Sequence, residues 1–229
     1  MTLKVEDYRQ SLRVVGITLI VIGVLDIGWM IYSVAHQQSY SSSFNVFAVI
    51  AGILLVRGGL RTANVVAFFS AFMLSSFIGV LIVLPFLMPL DLLLAYLRVY
   101  PASFGGGVLL TVGVLVLLGW IYRRLTTPAV MTAIAERYPR WTSYWRRPRT
   151  GFFAGVLLVL ILVVGLGLMM HGATAEHAIA AAKQKVGEGY KFHVSSLSMQ
   201  SSGNRTHVEV VVTAYNQKEI KSIPIEWDE

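Results

Sequence analysis

Few residues of this chain have the type and surroundings that chemistry would need, and the first is an acid inside an apolar stretch. Asp26 lies within "VLDIGWM", where an ionised carboxylate costs on the order of 3 kcal/mol or more in hydrocarbon unless it is paired or hydrated. This position predicts one of two functions, a proton or ion relay or a charge that docks a partner's helix. Alternatively, the helix is shifted so that Asp26 reaches the membrane interface beside Trp29 and Tyr32.

A second candidate pair is Asp91 with Arg98, which stand seven residues apart and therefore on about the same helical face. Elsewhere, His171 and His177 are six residues apart, but no carboxylate stands at a metal-site spacing such as HExxH. The same holds for His193 and His207, which fall on adjacent predicted strands. With no cysteine in the chain, a disulfide framework, a thiolate metal site and a Cys nucleophile are excluded. We therefore predict no catalytic site, no metal and no cofactor.

The composition places these residues in a membrane protein. Of the 229 residues, 55% are hydrophobic and only 14% are charged, which is too apolar for an ordinary soluble domain. The net charge of +7 could indicate a nucleic-acid-binding protein, but the Lys and Arg residues are spread between apolar segments rather than along one face. We therefore predict no nucleic-acid partner.

Five apolar segments predict transmembrane helices, because a crossing needs about 20 apolar residues. The segments are 14–34, 44–60, 65–84, 104–122 and 152–170. The second is the weakest, since Arg57 would have to reach back to the interface. The first could instead be a signal peptide cleaved after "SVA", but its apolar run is longer than such peptides have, so we predict a retained anchor.

Prolines interrupt the segment near 86–103, between the third and fourth predicted spans. Its longest proline-free piece, 90–100, is too short to cross, and it predicts a segment that lies in the interface or re-enters the membrane. Glycines recur in the spans, and Gly151 with Gly155 forms a GxxxG motif at the start of the fifth. Such small residues favour close packing of helices within a bundle or against another subunit.

The distribution of Lys and Arg predicts the orientation. Twelve of them lie in the amino-terminal segment 1–13, in the turn after the second span and in the loop 123–150, against Arg98 alone in the opposing loops. Positive loops stay in the cytoplasm, so the amino terminus is predicted inside. After four spans in 14–122 and a fifth in 151–171, the segment 172–229 is predicted outside the cytoplasm, in a bacterial inner membrane.

The loop 123–150 mixes arginines with aromatic residues. A helix is predicted from Pro128, with Thr127 as its cap, up to Pro139. The mixture suits a lipid headgroup layer, where cations and aromatic rings both find partners. The predicted topology and lipid contacts are Arg123, Arg124, Arg140, Trp141, Trp145, Arg146, Arg147 and Arg149.

The segment 172–229 is polar and predicts a small α+β domain. "TAEHAIAAAKQKVGEG" predicts a helix that ends near Gly187. "YKFHV", "HVEVVVTAY" and "IKSIPIEW" predict three antiparallel strands, with Pro224 confining the third to an edge. In element order this resembles small extracytoplasmic modules of membrane-anchored assembly and inhibitory proteins.

The sequence predicts two alternative functions. In the first, the bundle is an accessory or assembly protein that presents the outer domain to an envelope protein, by strand addition or otherwise. In the second, it is a small transporter or channel subunit that uses Asp26, with Asp91 and Arg98 near the outer mouth. The lipid bilayer, an envelope protein and a second copy of the chain are the predicted partners.

Overall fold

The computed structural model describes residues 2–37, 45–138, 148–170, 173–187, 189–202, 205–216 and 218–228. These residues form helices followed by a small sheet. The helices are α1 (Thr2–Ala35), α2 (Asn45–Val56), α3 (Leu60–Leu87), α4 (Leu90–Val99), α5 (Pro101–Leu125), α6 (Pro128–Arg137), α7 (Thr150–Met170) and α8 (Ala173–Val186). The strands are β1 (Lys191–Ser202), β2 (Arg205–Tyr215) and β3 (Ile220–Asp228).

Three helices are long and apolar enough to cross a membrane. They comprise Tyr8–Ala35 in α1, Leu60–Leu87 in α3 and Pro101–Leu125 in α5. Large apolar side chains on them are widely exposed, for example Leu25 at 68% and Leu109 at 76%. Because water would disfavour so much exposed apolar surface, these helices suggest a membrane protein.

The predicted count of five spans is not supported. Among the described residues, the apolar parts of α2, Val46–Val56, and of α7, Thr150–Gly165, are shorter than those of the three long helices. Instead of continuing to residue 60, α2 ends at Val56, where Gly58 adopts a φ of 83° and turns the chain into α3. Pro101, taken from the sequence as an interruption, starts α5, because proline fits the first turn of a helix.

One compact unit comprises residues 1–77 and 114–156. Its core is built from α1, α2, α3, α5 and α6. Glycines set the closest helix contacts: a Cβ on Gly16 would lie 2.7 Å from the carbonyl oxygen of Gly52. The GxxxG glycines Gly151 and Gly155 contact α3 in the same way, against Phe68 and Ser75. These glycines therefore pack helices within the chain.

A second compact unit comprises residues 78–113 and 157–229. It contains the carboxyl-terminal domain, which we define as residues 173–228, with α8 on one face of an antiparallel sheet of order β1-β2-β3. The small side chains of Ala178 and Ala182 let α8 approach the sheet, and Val208, Val210 and Val212 are fully buried beneath it. The predicted order of one helix and three strands is confirmed.

β1 is longer than the sequence predicts, because it continues to pair with β2 beyond a β-bulge. Its register shifts between Val194 and Ser196, which leaves Ser195 as an extra residue. Val194 lies opposite Val212, and Leu197 lies opposite Val210, so apolar residues on both sides of the bulge pack against the core. The Ser195 and Thr213 hydroxyls hydrogen-bond to each other at this point.

Candidate docking site on the carboxyl-terminal domain

The carboxyl-terminal domain contacts α4, the short helix between α3 and α5. α4 is delimited by prolines, since Pro89 precedes its first turn and Pro101 begins α5. Leu92 is 0% exposed and packs against Tyr215, the last residue of β2, which is 4% exposed. Around this contact lie Ala95, Met88, Tyr96 and Ile220. α4 thus covers the end of the sheet at which β2 turns into β3.

An ion pair borders this apolar contact. Lys191, the first residue of β1, donates a hydrogen bond to the Asp91 carboxylate in the first turn of α4. That hydrogen bond and the negative charge of Asp91 raise the pKa of Lys191 above its ordinary value. Burial raises the pKa of the Tyr215 phenol above its ordinary value. The buried side chains, and not the exposed ion pair, therefore supply most of the docking energy.

The other side of α4 is apolar and exposed. Leu90, Leu94 and Leu97 are exposed at 61%, 50% and 45% and recur at helical spacing. α4 therefore has two apolar faces. One packs on the domain, and the other is exposed. An exposed stripe of this kind is typical of helices that lie at a membrane interface.

A polar cluster ties the start of β1 to the β2–β3 turn. The Tyr190 hydroxyl donates to the Glu219 carboxylate, and Lys221 Nζ lies 3.0 Å from both the Tyr190 hydroxyl and Glu219 Oε1. Asn216 Oδ1 accepts the backbone N–H groups of Lys218 and Glu219 at 2.8 and 2.9 Å, which closes the turn. These bonds hold the two strands where α4 docks.

The two edges of the sheet differ. β3 contains Pro224, which lacks an N–H donor, and proline on an edge strand stands with its nitrogen on the free side. β1 has no proline, and from Ser196 to Ser202 it pairs with β2 without a further register shift. Among the described strands, β1 therefore offers the longer unpaired edge and the one without a proline.

The charged residues singled out in the sequence lie on two helices, α1 and α4. Asp26 is partly buried in α1, nine residues before its end at Ala35. Asp91 and Arg98 lie in the first and last turns of α4, where both charges suit the helix dipole, and both are exposed. Because Asp91 contacts Lys191, it belongs to the docking site. The relay and channel-mouth interpretations of these residues remain predictions.

The basic residues predicted to contact lipid are described only in part. Arg123 and Arg124 are exposed in the last turn of α5, and the Arg124 guanidinium lies 5.9 Å from the Trp120 ring centre. Arg149 is exposed just before α7. Outside the described residues lie Arg140, Trp141, Trp145, Arg146 and Arg147.

Sequence analysis missed Lys191, Tyr190, Glu219 and Tyr215 as site residues. The only available signal was the position of each at a strand end, which many residues share. Comparison of the chain with protein families, with curated proteins and with solved structures gives no match.

Proposed function

We propose that this chain is an integral membrane accessory or assembly protein that presents its carboxyl-terminal domain, outside the cytoplasm, to a protein of the envelope. The observation that carries the proposal is the unpaired edge of β1 on a domain that is held in place by α4. An exposed, regular strand edge binds an extended segment of a partner through backbone hydrogen bonds.

The orientation rests on charge and on chain connectivity. The twelve basic residues of the predicted inner loops exceed the single Arg98 of the opposing loops. The carboxyl-terminal domain contacts α4, which lies between the long helices α3 and α5 in the chain, so both belong on one side of the membrane. We therefore place α4 and the domain outside the cytoplasm, and α6 with its basic neighbours inside. This placement requires α2 and α7 to cross the membrane in addition to the three long helices.

α4 supports a presenting role because it has two apolar faces. Leu92 and Ala95 hold the domain, while Leu90, Leu94 and Leu97 are available to the lipid interface. A domain attached in this way cannot tumble freely about α7. Its β1 edge consequently has a fixed height and direction relative to the bilayer, which favours one docking geometry for a partner.

Photo-crosslinking in cells tests the proposal. A photoreactive amino acid at Ser198, which is exposed on β1, should give one discrete adduct with an envelope protein. The matched control at Gln184, which is exposed on α8, should give none. Equal adducts at both positions, or none at Ser198, would contradict recruitment through β1.

A truncation separates the domain from the bundle. A chain that ends at Met170 should still insert into membranes, because α1, α3 and α5 are retained, and it should no longer co-purify with the Ser198 partner. If the truncated chain recovers the same protein, the bundle and not the domain recruits it.

A further inference from the structure

A cleft opens in the unit formed by residues 1–77 and 114–156. Its volume is about 610 Å³, which lies within the range of about 300–1,000 Å³ that small-molecule sites occupy. Tyr8 of α1, the glycines of the α2–α3 turn and the end of α6 form its walls. The docking site described above contributes no residue to it.

The walls of the cleft are fixed by packing. Gly58 adopts a φ of 83°, which only glycine takes up without strain, and Gly59 N–H donates to the Leu54 carbonyl oxygen at 2.9 Å. Val130 and Ile134 bury α6 against Leu12 of α1. Such a cleft is formed before a ligand arrives, so binding would not need to order it.

The side chains in the cleft are mainly cationic and aromatic. Arg61 lies over the ring of Tyr138, with its guanidinium carbon 4.7 Å from the ring centre. Stacking of this kind uses the face of the guanidinium, whereas phosphate is bound through the N–H groups in its plane. Arg137 adds a second guanidinium, and Glu136 is the one carboxylate among the described residues of the lining. The net charge of the lining is therefore positive.

We propose that this cleft binds the phosphate headgroup of an anionic phospholipid, with Arg61 and Arg137 as its ligands. Exposed apolar surface next to the cleft favours a lipid over free phosphate. Val65 stands one turn after Arg61 on the same face of α3 and is 43% exposed. An acyl chain would continue along this helix. The inference rests on the membrane placement proposed above, but not on a protein partner.

Native mass spectrometry of the purified protein tests the site. Phosphatidylglycerol should remain bound to the wild-type chain in preference to phosphatidylcholine. The double variant Arg61→Gln/Arg137→Gln should bind phosphatidylglycerol about tenfold more weakly, because hydrogen bonds to charged groups are lost. Arg9→Gln/Arg13→Gln, which removes two exposed arginines of α1 outside the cleft, should retain the preference.

Two further measurements are needed. One distinguishes a lost binding site from a misfolded protein, and the other distinguishes a lipid headgroup from free phosphate. Glu136→Gln removes a carboxylate from the lining and should tighten binding, which a damaged fold would not do. Inorganic phosphate, without lipid, should not raise the unfolding temperature. The inference is overturned if the cleft variant keeps its lipid preference, if the control loses it equally, or if inorganic phosphate stabilises the protein as phosphatidylglycerol does. A chain that does not partition into detergent or bilayers would instead overturn the membrane placement itself.

Discussion

Glu219 joins two strand ends through charge-assisted hydrogen bonds. Its carboxylate accepts from the Tyr190 hydroxyl and from the Lys221 ammonium group, and these two donors hold the pKa of Glu219 below its ordinary value. In turn, the hydrogen bonds of Lys221 with Tyr190 and Glu219 raise the pKa of Lys221. All three side chains are at least partly exposed. Their contribution is therefore modest and depends on pH.

The sign of that dependence is set by Glu219. Because its pKa is lowered by folding, the carboxylate stabilises the domain above the ordinary value of 4.5, and this stabilisation is lost as the pH falls through the lowered pKa. Glu219→Gln should therefore unfold at a lower temperature than wild type at neutral pH, and at the same temperature in strong acid. Thermal unfolding between pH 7 and 2, with both proteins in one detergent, measures the difference. A constant difference across this range would contradict the assignment.

The position of Asp91 could be predicted from the sequence, but its contact could not. Its place on one face of a short helix with Arg98 follows from spacing and from the flanking prolines, and α4 has this form. Its contact with Lys191, 100 residues further along the chain, depends on how α4 meets the sheet. Arg61 and Arg137 are likewise visible as basic loop residues, but only the packing of α1 with α6 forms a cleft around them.

α4 holds the domain mainly through buried area. Leu92 is fully buried in this contact, whereas Leu94 on the outer face is 50% exposed. The two residues are chemically identical and lie on one helix of ten residues. They therefore form a matched pair for measuring the docking contact.

Leu92→Ala should loosen α4 from the domain, because truncation of a buried leucine costs about 2 to 5 kcal/mol. Leu94→Ala should change the contact little. Hydrogen exchange of the α4 backbone in detergent measures the effect, with faster exchange expected for Leu92→Ala alone. Equal exchange rates in both variants would mean that Leu92 does not hold α4 on the domain.

α1 and α2 pack through glycines at very short range. A Cβ on Gly52 would lie 2.6 Å from the Gly16 carbonyl oxygen and 2.7 Å from Ile20 Cγ1, whereas a Cβ on Gly28 would meet nothing within 4 Å. Gly28 and Gly16 stand on the same helix. The contact is therefore specific to one segment of α1.

Gly52→Ala should lower the free energy of unfolding by about 1 to 3 kcal/mol, as overpacking of helix contacts does. Gly28→Ala should be neutral or slightly stabilising, because alanine favours a helix. Thermal unfolding in detergent compares the two. If Gly52→Ala is as stable as Gly28→Ala, the close approach of α1 and α2 is not present in the protein.

Element types were largely predictable from periodicity, and their ends were less so. Val208, Val210 and Val212 alternate clearly within the predicted second strand, and they line the buried face of β2. The length of β1 could not be predicted, because the bulge at Ser195 breaks the alternation that marks a strand. The length of α2 depends on the left-handed turn at Gly58, and glycine alone does not specify that conformation.

The chain as a whole combines two compact units, and α3, α5 and α7 each run from one unit into the other. The basic turn at residues 57–61 and helix α6 belong to one unit, while α4 and the carboxyl-terminal domain belong to the other. In the proposed orientation, the basic turn and α6 lie inside the cytoplasm, and α4 and the domain lie outside it. The assignment depends on α7, which joins α6 and its basic loop to the domain.

Labelling of single cysteines in spheroplasts tests that arrangement most directly, since the natural chain contains no cysteine. Gln184→Cys reports on α8, and Thr132→Cys reports on α6; both positions are exposed. A membrane-impermeant maleimide should modify Gln184→Cys in intact spheroplasts and Thr132→Cys only after the membrane is permeabilised. Labelling of both positions from outside, or of Thr132→Cys alone, would contradict a domain presented across the membrane from the basic loop.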